Sequence, residues 1–151
     1  MGVVTAVRLK LVPAIVGRAV AWLGLSSPQA ALDTLRALQA RTDRIEGFEI
    51  LPQESLQAVL GHIPGTRAPL GAEHPWHALV EMTSDSVDAE PAEQLLARLL
   101  PPLMEKGVVR DATISSSEAQ AEAFWRIRDS LSEAERATFG PATQHVPQVS
   151  T

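Results

Sequence analysis

Apolar positions recur along this chain with two periods, every second residue or every third to fourth, and the alternation between them orders the elements. Residues 3–12 alternate and are rich in Val and Leu, which predicts a strand that Pro13 closes, since proline cannot donate to a β-ladder. A second strand is predicted at about residues 15–25. Ser27 and Pro28 then offer an N-cap and a first helical residue for a helix running to about Gln39. Its inward face is Ala31, Leu35 and Leu38, with Leu32 flanking. Ile45 to Leu51 predicts a strand ended by Pro52, and residues 54–63 a short helix with Leu56, Val59, Leu60 and Ile63 inward. The segment from Pro64 to Pro75 is turn chemistry throughout.

Trp76 to Thr83 alternates again, with Trp76, Ala78, Val80 and Met82 on one side and His77, Leu79, Glu81 and Thr83 on the other. A helix is predicted over 91–105, its broad apolar face made of Leu95, Leu96, Leu99, Leu100, Leu103 and Met104. Pro101 and Pro102 inside it predict a kink or break, and Gly107 its close. Val108 to Ile114 reads as a strand. The last helix starts near Ser116 or Ser117 and fades before Gly140, with Ala123, Phe124, Ile127, Leu131 and Ala134 as its stripe. Residues 140–151 show no period. From residue 15 to 114 the order is β-α-β, a short extra helix, then β-α-β. This predicts the α+β class: a split βαβ (ferredoxin-like) antiparallel sheet with helices on one face.

An apolar content of 45% in 151 residues suffices for one domain with a real core. The net charge of −5 and the dispersed Lys and Arg argue against a nucleic-acid partner. The chain has no cysteine, which excludes disulfides, a thiolate nucleophile and thiolate metal sites. The apolar start is interrupted by Arg8, Lys10, Pro13 and Arg18, too often for a membrane span or a signal peptide. A soluble, cytoplasmic protein is the expectation.

Candidate chemistry is sparse. Arg128 and Ser132, one helical turn apart, would put a permanent cation beside a hydroxyl, a pairing suited to a carboxylate; an ordinary surface Arg beside a Ser explains them too. His74 and His77 form the one close histidine pair, with Glu73 and Glu81 the nearest carboxylates, and read as surface or structural residues rather than as metal ligands. Glu81 with Thr83, and Asp111 with Thr113, share strand faces that could line a pocket or meet solvent. The spacing of Gly61 and Gly65 lacks the lysine and context of a phosphate loop. No catalytic set can be placed on the chain.

Several segments resemble one family. GVVTAVRLKLVP is similar to the end of the FAD-binding domain of FAD-linked oxidases in the vanillyl-alcohol-oxidase superfamily, D-2-hydroxyglutarate and D-lactate dehydrogenase group. FEILPQESLQAVLGHIPGTRAPL, HPWHALVEMTS and, most specifically, SEAQAEAFWRIRDSLSEA resemble its C-terminal substrate or cap domain. The resemblance divides the chain into residues 1–13, a remnant of the FAD-binding domain, an incomplete cap domain at 14–139, and an irregular tail at 140–151. It implies oxidation of a small 2-hydroxy acid to the 2-keto acid with hydride transfer to flavin. The family's carboxylate-binding arginine matches Arg128 and its following hydroxyl residue matches Ser132. The expected substrate-binding lysine is replaced by Gln144, ahead of His145. Gly2, Val3 and Val4 match a backbone contact to FAD. The histidine-rich segment that holds a divalent metal such as zinc would lie beyond the chain, so a piece truncated at both ends and inactive alone is expected. Its partners would then be the FAD-binding and metal-binding parts or a second copy of the chain. A stand-alone ferredoxin-like module binding a ligand or partner, dimerising through residues 3–12, and a non-functional remnant are the alternatives.

Overall fold

The computed structural model describes residues 17–140. The strand expected at 3–12, Gly2, Val3, Val4 and Gln144 lie outside the described residues. Among the described residues nine elements follow one another: β1 (Gly17–Leu25), α1 (Pro28–Gln39), β2 (Ile45–Pro52), α2 (Gln53–His62), β3 (Trp76–Ser84), α3 (Ala92–Glu105), β4 (Asp111–Ile114), α4 (Glu118–Asp129) and α5 (Leu131–Phe139). The strands form one antiparallel sheet in the order β2-β3-β1-β4. Each βαβ unit therefore straddles a strand of the other, β1-α1-β2 across β3 and β3-α3-β4 across β1. This is the expected split βαβ arrangement.

The pleat sends alternate residues of β1 into two different cores. Ala19, Ala21, Leu23 and Leu25 pack with Ala78, Val80 and Met82 of β3 against Ala31 and Leu38 of α1 and the leucines of α3. This is the face that the two βαβ helices cover. Val20 and Trp22 point the other way, with Leu79 and Leu51, and meet Leu56 and Val59 of α2, Ala121, Phe124 and Ile127 of α4, and Ala134 of α5. The sheet thus carries a second helical layer formed by the extra helix and the C-terminal pair. Burial on both sides explains why β1 reads as a nearly unbroken apolar run.

Local chemistry sets most boundaries. The Ser27 Oγ accepts from Ala30 N at 3.1 Å and the Ser117 Oγ from Gln120 N at 3.1 Å, so each caps a helix start. Gly107 takes φ +78 where α3 ends, and Val108 N returns to Leu103 O at 3.0 Å. Six expectations change. Helix α3 runs unbroken through Pro101 and Pro102. Ala97 and Arg98, whose carbonyls lose their donors to proline, are exposed, so water can satisfy them. Met104 is exposed rather than inward, and Thr34 takes the buried place expected of Leu35, which is half-buried. The Thr34 hydroxyl satisfies itself on Ala30 O at 2.8 Å. β4 begins at Asp111 rather than Val108, because Val108 and Val109 still hydrogen-bond to the end of α3. The last helix is two helices, broken at Ser130 (φ −93, ψ 0), and Ala121 rather than Ala123 is buried. The break lets Ala134 reach the core and lays α5 against α2, where Ser55 Oγ donates to Glu135 Oε2 at 2.6 Å.

Candidate functional site

The two faces of the sheet differ in chemistry. The face under α1 and α3 is apolar, with Phe48 and Trp76 at the margin of its aliphatic core. The face under α2, α4 and α5 carries the polar residues, and strand register says which. Val20 pairs with Glu81, Trp22 with Leu79 and Gly24 with His77 across β1 and β3, while Gly47 pairs with Glu81, Glu49 with Leu79 and Leu51 with His77 across β2 and β3. Arg18, Gly47, Glu49, His77 and Glu81 therefore share one side, and α4 lies across it.

Along α4, Glu118, Glu122, Trp125 and Arg128 follow at spacings of three and four and so line one side of the helix. At its N-terminal end Arg18 gathers three carboxylates: Nη1 to Glu81 at 2.8 Å, Nε to Glu118 at 2.7 Å and Nη2 to Glu122 at 2.9 Å. The hydrogen bonds from Glu118 and then Glu81 hold this guanidinium above its ordinary pKa. All three nitrogens of the group are thus engaged by carboxylates.

The C-terminal end of α4 is different. Arg128 donates from Nε to Glu49 Oε1 at 2.6 Å, and this hydrogen bond raises its pKa. Nη1 is 3.9 Å from Asp129, beyond hydrogen-bond reach, and Nη2 has no acceptor among the described residues. The Arg128 side chain is 42% exposed. Beside it, the Trp125 ring lies over Gly47, where a Cβ would stand 3.7 Å from the ring. The Trp125 Nε1 is buried with no hydrogen-bond partner among the described residues. Ser132 sits beyond the break at Ser130, exposed in the first turn of α5, so it and Arg128 belong to successive helices rather than one.

His77 is placed by its strand at the other side of this face. Trp22 Nε1 donates to His77 Nδ1 at 2.9 Å, and His77 Nε2 meets Gln53 Oε1 at 2.5 Å. Burial first, and then the neighbouring His74, push its pKa down to about 4. The ring is a neutral spacer in the core. His74 contacts Asp111 Oδ2 at 3.4 Å, with ring centroids 6.2 Å from His77. Glu73 bonds Gln57 instead, and Glu81 is held by Arg18. Among the described residues no three His, Asp or Glu side chains converge as a metal site requires.

A cleft of about 490 Å³ lies on the opposite side of α4, between Gly65–Pro69 and Gln120, Ala123, Phe124, Arg126 and Ile127. Arg126 clamps the loop there through Pro64 O at 2.8 Å, and Gly65 turns beneath it at φ +81. Neither this cleft nor any described loop offers the glycine-rich series of backbone donors that a dinucleotide pyrophosphate needs. The described residues do not fit FAD. None of the described helices is long and apolar enough to cross a membrane.

Sequence reasoning singled out Arg128 but missed Glu49, Gly47 and Trp125. The parity of β2 was the available signal, since Gly47 and Glu49 alternate in step with the buried Leu51. What it lacked was the register that brings β2 under α4.

Comparison with known proteins agrees with this architecture. The family model described as FAD linked oxidases, C-terminal domain, matches residues 17–146. A mitochondrial D-2-hydroxyglutarate dehydrogenase of Arabidopsis thaliana is 39% identical over 90 residues, 60% of this chain and 16% of that protein. The D-2-hydroxyglutarate dehydrogenase of Xanthomonas citri pv. viticola is 32% identical over 134 residues, 89% of this chain and 27% of its own length. The mitochondrial enzyme of that name from Bos taurus is 31% identical over 135 residues, 89% of this chain and 24% of its own. The chain thus spans about a quarter or less of the curated relatives it matches. With the family match running through every described element, from the central strand to the helix pair that carries Arg128, the chain belongs to the FAD linked oxidase C-terminal domain family.

Proposed function

We propose that this domain supplies the substrate-carboxylate anchor of an FAD-dependent 2-hydroxy-acid dehydrogenase of the D-2-hydroxyglutarate or D-lactate type. The observation that carries the reading is Arg128, a part-exposed side chain at the polar face of the sheet, held through Nε by Glu49 and with no acceptor on Nη2 among the described residues. A guanidinium edge is a planar pair of donors that matches a carboxylate, and it stays charged at any working pH. Membership of the family supports this substrate class, since the named relatives are dehydrogenases of D-2-hydroxyglutarate. The redox chemistry is assigned to a flavin held by another domain of the assembly, and a divalent metal such as zinc, where the enzyme uses one, to that other part as well. Ser132, across the helix break, and Gln144 are assigned as flanking donors to the same substrate.

The test is steady-state oxidation of D-2-hydroxyglutarate and of D-lactate, followed with a dye acceptor. It uses the enzyme that contains this chain, assembled if necessary from the polypeptides encoded on either side. Arg128→Ala should lower kcat/KM by about 100-fold, roughly 3 kcal/mol for a lost charge-assisted anchor. Activity unaffected by Arg128→Ala would remove the basis of the reading.

A further inference from the structure

We propose that Glu49 is the positioning residue for Arg128, gripping Nε from the sheet and so presenting the Nη edge to the substrate carboxylate. The proposal rests on the reading of Arg128 as the anchor and extends it to what aims that anchor. Arginine is long and samples many rotamers, so a solitary guanidinium at a helix end has no fixed direction. Here the direction is set by two contacts between β2 and α4. Gly47 lies under Trp125, leaving room for the ring where a side chain would stand, and Glu49, two residues on and on the same face, meets Arg128 three residues beyond Trp125. Two residues of strand and three of helix advance similar distances, roughly 7 and 5 Å, so both contacts can form at once.

The form of the Glu49 contact matters as much as its existence. A carboxylate that took both Nη atoms would consume the edge that binds a ligand. Glu49 instead takes Nε at 2.6 Å, a short charge-assisted bond on the side of the group. Asp129, at 3.9 Å from Nη1, does not occupy the edge either. The guanidinium is therefore oriented without being saturated, in contrast to Arg18, whose donors are spread over three carboxylates.

In the assembled enzyme, Glu49→Ala should raise KM for the 2-hydroxy acid about tenfold while kcat stays within about twofold, the pattern of lost binding geometry. Glu49→Gln should rescue it, because the amide oxygen still accepts from Nε, and KM should return to within about twofold of wild type. Glu49→Ala added to Arg128→Ala should change nothing further. Thermal unfolding of each variant controls for folding, and Glu49→Leu, which suits an edge strand better, replaces the Ala variant if that one is unstable. If both Ala and Gln leave KM unchanged, or lower it, while Arg128→Ala raises it, Glu49 only neutralises charge and the proposal is overturned. If Arg128→Ala itself leaves kcat/KM unchanged, the anchor reading falls and this inference falls with it.

Discussion

Between pH 7 and pH 4 the folded chain should lose stability at His77, whose ring lies 1% exposed between Trp22 and Gln53. The Trp22 N–H can only donate, so Nδ1 must accept and the ring proton resides on Nε2, facing the Gln53 oxygen. A second proton would have to enter at Nδ1, against the indole N–H; burial first, and then the neighbouring His74, account for the fall of the pKa from 6.5 to about 4. In the unfolded chain the same ring has its ordinary pKa, so between these two values the unfolded state binds more protons. Stability from this group is complete above about pH 6.5 and drains as the pH falls towards 4. A fall from 6.5 to about 4 corresponds to about 2 kcal/mol lost by pH 5 and about 3 by pH 4. Carboxylates titrate in the same range, so the assay is urea unfolding at pH 7, 6, 5 and 4 for wild type and for His77→Gln. The variant should be less stable at pH 7 and have the shallower pH dependence, with the two curves converging in acid. NMR titration of the His77 ring should give a midpoint near 4. Parallel unfolding curves, or a ring midpoint above 6, would refute the argument.

Gly24→Ala should destabilise the fold by about 1–3 kcal/mol, because the new Cβ would stand 2.5 Å from His74 Cδ2 and 2.6 Å from its Cγ. The loss should shrink in the His74→Ala background, which a double-mutant cycle in urea will show. Arg18→Met should cost about 1–3 kcal/mol, since it leaves the half-buried Glu81 carboxylate without its partner beside Glu118 and Glu122. Glu122→Gln, at an exposed end of that cluster, should change the unfolding free energy by less than about 0.5 kcal/mol.

Period and punctuation alone determined the element order, the antiparallel split βαβ sheet and the start of nearly every helix. Those properties depend on spacing between near neighbours, such as Ser27 three residues before Ala30 or Ser117 before Gln120. Arg128 was legible for the same reason, as a cation at the edge of an apolar stripe, and the substrate-binding role proposed for it rests on family resemblance. The second helical layer was not legible, because an apolar run such as Val20 to Leu25 is compatible with one partner face or two. Nor was the break at Ser130, where docking of Ala134 and Glu135 onto α2 outweighed the helical propensity of a continuous stripe. Only the tertiary structure decided which carboxylate meets which arginine. Glu49 and Arg128 lie 79 residues apart, and their contact depends on the β2–β3 register and the path of α4 across the sheet. Local pattern carries no record of such a distant pairing, since it follows from how the packed layers align.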